Sequence, residues 1–113
     1  MADIEIRDNR PAGLFEAYED GTVVGAIGYF PLGDTPAALV VVHTVVEEGH
    51  EGKGIASALV REFYAMAGCA GAPVVPLCPY AARWARRHPD EAPLPPAGLV
   101  RTAEERLAAS TRS

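Results

Sequence analysis

The chain has 113 residues, of which 49% are hydrophobic, and its 10 Lys and Arg against 15 Asp and Glu leave a formal net charge of −5. This length suits one globular domain, and the ordinary apolar content argues against an intrinsically disordered chain. The acidic balance argues against general affinity for nucleic acid, which clustered Lys and Arg would bind. The longest apolar run, Ala37–Val42, is too short for a membrane helix, and the first residues do not resemble a signal peptide. We therefore expect a cytoplasmic protein that binds neither nucleic acid nor membrane.

The start of the chain predicts two antiparallel strands. Ile4 and Ile6 alternate with charged residues, which predicts a short edge strand ended by Pro11–Gly13. Leu14–Glu19 is the second predicted strand. The Asp20-Gly21 pair that follows is typical of a type I′ hairpin turn, because both central residues of that turn need a positive φ.

Two further strands are predicted before the middle of the chain. Thr22–Phe30 is the natural partner of the second strand, and Gly25 and Gly28 within it indicate a bend or a close backbone approach. A turn-rich segment then leads to a fourth strand over Ala37–Val46, whose apolar run predicts burial on both faces. Such burial requires helices on both sides of the sheet.

The second half of the chain predicts a long helix, a short strand and weaker helices. Apolar residues recur at helical spacing over Gly52–Ala70, and Val74–Cys78 is a short apolar strand. Tyr80–His88 is predicted as a short helix ended by the proline after it. Within residues 93–113, Thr102–Glu105 resembles a capping box for a last weak helix.

These elements predict an α+β (α/β) fold, with a mixed, mostly antiparallel sheet of about five strands and helices on its faces. The fourth strand, the long helix and the fifth strand form a crossover unit, which is right-handed in nearly all proteins. Ligands in this arrangement bind beyond the carboxyl ends of the strands. Residues 1–92 are expected to form one domain, and residues 93–113 a proline-rich linker with a weakly helical or disordered tail.

The chain has two cysteines and three histidines. Cys69 and Cys78 lie in apolar segments without the spacing of a disulfide framework, so we expect free thiols in a reducing compartment. Cys69 is expected to pack inertly within the long helix. The histidines and cysteines show no metal-ligand spacing, and we expect no metal site.

A glycine-rich loop, residues 49–56, lies between the predicted fourth strand and the long helix. Its glycines allow the backbone to approach a ligand closely, and the unpaired amides of a helix's first turn form an anion site. This pattern predicts a pyrophosphate ligand. The loop is not a Walker motif, because Gly49 is too close to Gly52-Lys53 and Gly54 follows the lysine. A dinucleotide-binding fold is also disfavoured, since no second crossover unit follows.

Three segments together resemble the GCN5-related N-acetyltransferases. They are His43-Thr44-Val45-Val46, Gly52-Lys53-Gly54-Ile55-Ala56 with Leu59-Val60, and Pro76-Leu77-Cys78-Pro79-Tyr80 with Trp84 and His88-Pro89. More narrowly, the combination is similar to the small, minimal subgroup called YidJ- or YjdJ-like. The resemblance covers roughly residues 3–92 and leaves the tail outside it.

The resemblance implies a minimal acetyltransferase domain that binds acetyl-CoA where the fourth and fifth strands splay apart. Backbone groups of Val45 and Val46 would pair with the pantetheine arm, and amides of the following loop would hold the diphosphate. Those amides belong to His50, Glu51, Gly52, Lys53, Gly54, Ile55 and Ala56. Larger relatives place Gln or Arg three residues before the first loop glycine, whereas this chain has Gly49 there. Phosphate binding would therefore depend more on backbone amides and Lys53.

The resemblance also implies transfer of an acetyl group to an amine of a small molecule, peptide or protein. Cys78 is either an acyl-accepting nucleophile or a small buried hydrophobe, and most relatives instead transfer directly in a ternary complex. Tyr80 either protonates the departing thiolate or caps the second helix. His43 is either a catalytic base or a hydrogen-bonded strand residue. A basic amine is favoured by the carboxylates clustered near the site, which are Glu47, Glu48 and Glu51.

A second function stays open beside this one. The small size and the missing Gln or Arg also permit a non-catalytic acyl-CoA-binding or sensing module on the same fold. Trp84 is expected to anchor the second helix on the sheet, and Arg83, Arg86 and Arg87 form either a solvated helix face or a site for the 3′-phosphate of the cofactor.

Overall fold

The computed structural model describes residues 4–33 and 38–111. Its elements are, in chain order, β1 (Ile4–Asn9), a 3₁₀ turn (Arg10–Ala12), β2 (Leu14–Glu19), β3 (Thr22–Leu32), β4 (Ala38–Val46), α1 (Ile55–Cys69), β5 (Val74–Pro76), α2 (Pro79–Arg87) and α3 (Ala97–Thr111). The predicted mixed α+β architecture is confirmed. Ala37, which was expected to open β4, lies outside the described residues. None of the described helices is long and apolar enough to cross a membrane.

The five strands form one sheet in the order β1-β2-β3-β4-β5. The first four pair antiparallel, while β4 and β5 run parallel and are joined through α1. The β2–β3 turn places Asp20 at φ 52° and Gly21 at φ 80°, the two positive values that a type I′ turn requires. β3 extends past its predicted end to Leu32, because Pro31 still lies opposite Leu39 on β4.

The main core lies between α1, α2 and one face of the sheet. Phe63 of α1 is fully buried and packs edge-on against Phe15 and Tyr29, with ring centroids 5.3 and 5.0 Å away. The second face of β4 is buried only near its start, and the side chains of His43 and Val45 are exposed. The prediction of burial on both faces is therefore wrong for the second half of β4, because α3 covers only the first half.

The C-terminal segment forms a helix that packs on the second face of the sheet. Ala103 of α3 is fully buried, and Leu99 and Val100 pack against a small core made by Leu32, Ala38, Val40 and Val75. The predicted capping box is wrong, because α3 begins earlier and Thr102 lies inside it. There the Thr102 hydroxyl donates a hydrogen bond to the carbonyl of Gly98 at 2.9 Å.

Tyr64 of α1 is a buried side chain whose hydroxyl has no hydrogen-bond partner among the described residues. We expect Tyr64→Phe to raise the free energy of unfolding at neutral pH by about 1 kcal/mol, because it removes a desolvated and unsatisfied hydroxyl. Urea unfolding measures the difference. A variant less stable than the wild type would contradict this assignment.

The same side chain predicts a loss of stability at alkaline pH. Burial raises the pKa of Tyr64 from 10.0 to about 12, so the unfolded chain ionises first as the pH rises. With respect to this group, the free energy of unfolding is therefore constant below pH 10 and falls between pH 10 and 12. Tyr64→Phe should flatten this decline only in part, because burial and Asp8 also raise the pKa of Tyr29 to about 12.

Candidate functional site

β4 and β5 separate where the chain leaves β5 for α2. Their pairing ends with Val41 opposite Pro76, and the N–H groups of Leu77 and Cys78 both donate to the carbonyl of Val41, at 2.9 and 3.1 Å. β5 therefore ends at Pro76 and not at the predicted Cys78, because two successive amides share one acceptor. β4 continues to Val46, and the space beside its unpaired edge is termed the gap.

A β-bulge in β4 decides which side chains and backbone groups face the gap. Tyr29 lies opposite Val41 and Gly28 lies opposite His43, which leaves Val42 as the extra residue on β4. Because side chains alternate along a strand, one extra residue inverts the alternation that follows. Residues beyond the bulge therefore point to the face opposite to the one that simple alternation predicts.

Beyond the bulge, Thr44 and Val46 turn their backbone groups into the gap. Backbone groups of successive residues point alternately to the two sides of a strand. The N–H of Glu47 donates to the carbonyl of Val24 on β3 at 2.8 Å, so the backbone groups of Val45, two residues earlier, also point to β3. The predicted pantetheine partners were Val45 and Val46. The register turns the backbone groups of Val46 and of Thr44, which the sequence reasoning missed, into the gap, whereas those of Val45 face β3.

The glycine-rich loop shapes the start of α1. Gly49, Gly52 and Gly54 have φ values of 90°, 84° and 81°, in the left-handed region that favours glycine. α1 therefore begins at Ile55 and not at the predicted Gly52. Its first hydrogen bond joins the N–H of Ala58 to the carbonyl of Gly54 at 3.0 Å. The amides between them, of Ile55, Ala56 and Ser57, have no partner within the helix.

These amides border a cleft of about 370 Å³ at the loop end of the gap. It is lined by Val46, His50, Glu51, Gly52, Gly54, Ile55, Ala56, Ser57 and Tyr80. Lys53 was predicted with them but does not line the cleft, since its ammonium lies 3.1 Å from Nδ1 of His50 and 3.7 Å from Glu19. Free amides at the positive end of a helix dipole make the cleft suited to an anion.

Two amides earlier in the loop are already engaged in hydrogen bonds within it. The carboxylate of Glu51 accepts a hydrogen bond from the N–H of Gly49 at 3.1 Å, and the N–H of His50 donates to the carbonyl of Glu47 at 3.0 Å. The His50 amide is therefore engaged within its own turn. Glu51 adds a negative charge at the cleft wall, which opposes a second anion.

A second cleft, of about 200 Å³, adjoins the first through Ser57 and Tyr80. α2 supplies Arg83 and Arg87 to its wall, whereas Arg86 lies outside it. The two guanidinium groups give this cleft a positive lining. The first cleft also borders the gap through Val46.

Trp84 fixes the position of α2 beside α1. Its ring stacks between Tyr64 and His88, at centroid distances of 5.9 and 4.0 Å, and its Nε1–H donates to Oγ of Ser57 at 2.9 Å. The predicted anchoring role therefore acts largely through α1, because Tyr64 and Ser57 both lie on that helix.

The three predicted catalytic side chains lie at different points around the gap. Cys78 is 4% exposed, and its Sγ donates to Oγ1 of Thr44 at 3.5 Å. Tyr80 lines both clefts. His43 lies on the face of the sheet opposite to Cys78. Its ring covers Gly28 so closely that a Cβ added to Gly28 would lie 2.2 Å from Cε1 of His43. Cys78 and His43 therefore do not form a cysteine–histidine pair.

Both cysteines are free thiols. Cys69 is the last residue of α1 and is exposed, so the prediction that it packs within the helix is wrong. Across residues 4–33 and 38–111, no group of three His, Cys, Asp or Glu side chains comes together in a form that could hold a metal ion.

Residues 14–94 match the profile of the protein family described as "GCN5-related N-acetyl-transferase". The chain belongs to this family. The matched segment runs from β2 to the residues before α3, so it includes both strands of the gap, the glycine-rich loop and the two clefts. The resemblance to the GCN5-related N-acetyltransferases is confirmed.

A solved structure supports the same assignment for the fold. The ribosomal-protein-alanine N-acetyltransferase from Brucella melitensis biovar Abortus 2308 is 26% identical in sequence, with a TM-score of 0.52 over 73% of this chain. This chain spans 64% of the length of that protein. No curated protein sequence matches the chain significantly. Family and fold together support acyl transfer as the general chemistry.

Proposed function

We propose that this chain is an N-acetyltransferase that uses acetyl-CoA to acetylate an amine. The proposal is carried by the unpaired edge of β4, which leads from the anion cleft back to Cys78. A diphosphate in the cleft would accept hydrogen bonds from the first-turn amides of α1. A pantetheine arm extended along the gap would pair with Thr44 and Val46 as a neighbouring strand does. The thioester then lies near the bulge of β4.

The second cleft fits the nucleotide end of the same cofactor. It adjoins the diphosphate position, and Arg83 and Arg87 line it. Guanidinium groups pair well with phosphates, because their planar donors match two oxygens at once. We assign these two arginines, and not Arg86, to the 3′-phosphate.

Attack of an amine on a thioester needs two proton transfers, and we propose one side chain for each of them. The nitrogen forms a bond to the acetyl carbon and gives up a proton, while the carbon–sulfur bond breaks and CoA leaves as a thiolate. We assign His43, exposed on the face free for an amine to approach, as the group that takes the proton from nitrogen. Tyr80, on the cofactor side, donates a proton to the sulfur.

Transfer is direct in this proposal, without an acetylated cysteine. Cys78 is buried, and its hydrogen-bond partner is the hydroxyl of Thr44, which is not a base. A nucleophilic cysteine requires an adjacent base or a cationic partner. His43 cannot serve, because it lies on the other face of the sheet.

The test combines binding and turnover on the purified chain. Calorimetric titration should show CoA binding, and incubation with acetyl-CoA and a basic amine should release free CoA above background. Loss of nearly all transfer in Cys78→Ala would replace the direct mechanism by a covalent one. Binding without release for any amine would favour the sensing module, and absence of CoA binding would overturn both functions.

Glu51→Gln is expected to tighten CoA binding roughly two- to fivefold, because the carboxylate at the cleft wall repels the diphosphate by an amount typical of exposed charge pairs. The amide of glutamine can still accept the hydrogen bond from Gly49. Calorimetry at low ionic strength measures the change. Glu62→Gln, an exposed change on α1 outside the cleft, should leave CoA affinity unaltered. Equal affinity of Glu51→Gln and the wild type would show that Glu51 does not face the bound cofactor.

A further inference from the structure

The half of the sheet that α3 leaves uncovered carries a row of side chains across four strands. Val45 lies opposite Ala26, Ala26 opposite Glu16, and Glu16 opposite Arg7. Directly opposed residues share a face of a sheet. This face is the one away from α1, because the residues on either side of Glu16 are buried in the main core. These four residues are termed the open row.

Glu16 is a half-buried carboxylate that forms no ion pair within the described residues. It accepts hydrogen bonds from the side chains of Asn9 at 3.4 Å and Tyr18 at 3.2 Å, both uncharged. Arg7, the next member of the open row, is engaged elsewhere. Its Nε donates to Glu5 at 2.6 Å, and its guanidinium lies 4.8 Å from the centroid of the Tyr18 ring. Among residues 4–33 and 38–111, no cation therefore lies within ion-pair distance of Glu16, although Arg7 stands opposite it across the strands.

An apolar surface connects Glu16 to the gap. Val45 is 51% exposed, and among the described large apolar residues only Leu94 is also exposed. Ala26 continues this surface on β3. Two strand spacings, or about 10 Å, separate β4 from the strand that carries Glu16. His43, on the same face as Val45, stands at the gap end of this surface.

We propose that the acceptor is an amine with two positive charges separated by an alkyl chain, and that Glu16 binds the distant one. The proposal rests on the function proposed above and names its substrate class. The reacting nitrogen first gives one proton to the solvent, because an ammonium has no lone pair for attack. The neutral amine then lies beside His43, which takes the second proton as the carbon–nitrogen bond forms and the carbon–sulfur bond of acetyl-CoA breaks, and Tyr80 protonates the sulfur. The alkyl chain crosses Val45 and Ala26. The distant ammonium keeps its protons and donates hydrogen bonds to Glu16.

The acceptor length and the second charge can be tested separately. We compare kcat/KM for octylamine, diaminobutane and diaminooctane with saturating acetyl-CoA. The kcat/KM for diaminooctane should exceed the values for the other two amines by about tenfold, which is the gain expected for one hydrogen bond to a charged group. Octylamine lacks the second charge, and diaminobutane is too short to reach Glu16. In Glu16→Gln, the ratio of kcat/KM for diaminooctane to kcat/KM for octylamine should fall close to one. In Glu62→Gln, this ratio should stay as in the wild type.

The outcomes separate this inference from the function on which it rests. If the ratio of kcat/KM for diaminooctane to that for octylamine is near one in the wild type, or is unchanged in Glu16→Gln, the inference is wrong. The proposed acetyltransferase function is not affected by that result. Failure of every amine to release CoA would remove the function and the inference together. Calorimetric CoA affinity shows that each variant is folded. If Glu16→Gln does not fold, Glu16→Asp replaces it, and its shorter side chain should move the preference from diaminooctane to diaminodecane. An unchanged preference would then count against Glu16.

Discussion

Gly54→Glu is expected to lower the affinity of the chain for CoA at least a hundredfold. Gly54 lines the anion cleft and precedes the first residue of α1, with φ at 81°. A carboxylate at this position would stand close to the bound diphosphate, and two like charges about 4 Å apart near a protein surface repel by about 4 kcal/mol. Calorimetric titration with CoA measures the loss directly.

The chain offers a matched control for this substitution. Gly71, in the turn after α1, also has a positive φ of 72°, and a Cβ at either glycine meets nothing within 4 Å. Gly71→Glu therefore carries the same backbone strain, about 1–2 kcal/mol, at the other end of α1. It should lose similar stability in urea and bind CoA normally. Equal loss of CoA binding in both variants would mean that general destabilisation, and not the cleft, is responsible.

His43→Phe is expected to lower kcat about a hundredfold while leaving CoA affinity unchanged, since a positioned general base commonly contributes at least this much. Phenylalanine can keep a ring over Gly28 but has no nitrogen to take up a proton. Steady-state kinetics with a basic amine, together with calorimetry, separates the two effects. Activity within threefold of the wild type would remove His43 from the mechanism.

A second variant disturbs the same histidine without replacing it. Gly28→Ala adds a Cβ that would lie 2.2 Å from Cε1 of His43, so the ring must move away from its position over β3. The imidazole is the far end of a flexible side chain, and β3 can stay intact. We expect a loss of kcat similar to that of His43→Phe. Full activity would show that the position of the ring over Gly28 is irrelevant to transfer.

Several features could be predicted from the sequence because neighbouring residues decide them. Asp20-Gly21 forms the expected tight turn, since few residue pairs accept two positive φ values. The glycines of residues 49–54 leave the first amides of α1 exposed for the same kind of local reason. The long amphipathic helix between two strands predicted the crossover, and the three motifs predicted the family.

Other features depend on residues that are distant in the sequence. The capping-box pattern predicted a short, isolated helix, but α3 begins at Ala97 because Leu99, Val100 and Ala103 find an apolar patch made by three strands. β5 stops at Pro76 because Val41 accepts two hydrogen bonds. Neither partner can be identified from the local pattern, since helix stability in proteins comes mainly from tertiary packing.

The sequence by itself therefore determined the family, the order of elements and the glycine-rich loop that precedes α1, all of which follow from local chemistry and spacing. Tertiary structure alone decided that Thr44 and not Val45 faces the gap, that His43 lies across the sheet from Cys78, and that Glu16 shares a row with Val45. The physical reason is the period of two along a strand. One extra residue, Val42, inverts every side chain and backbone group that follows, and only the pairing with β3 shows where that residue is inserted.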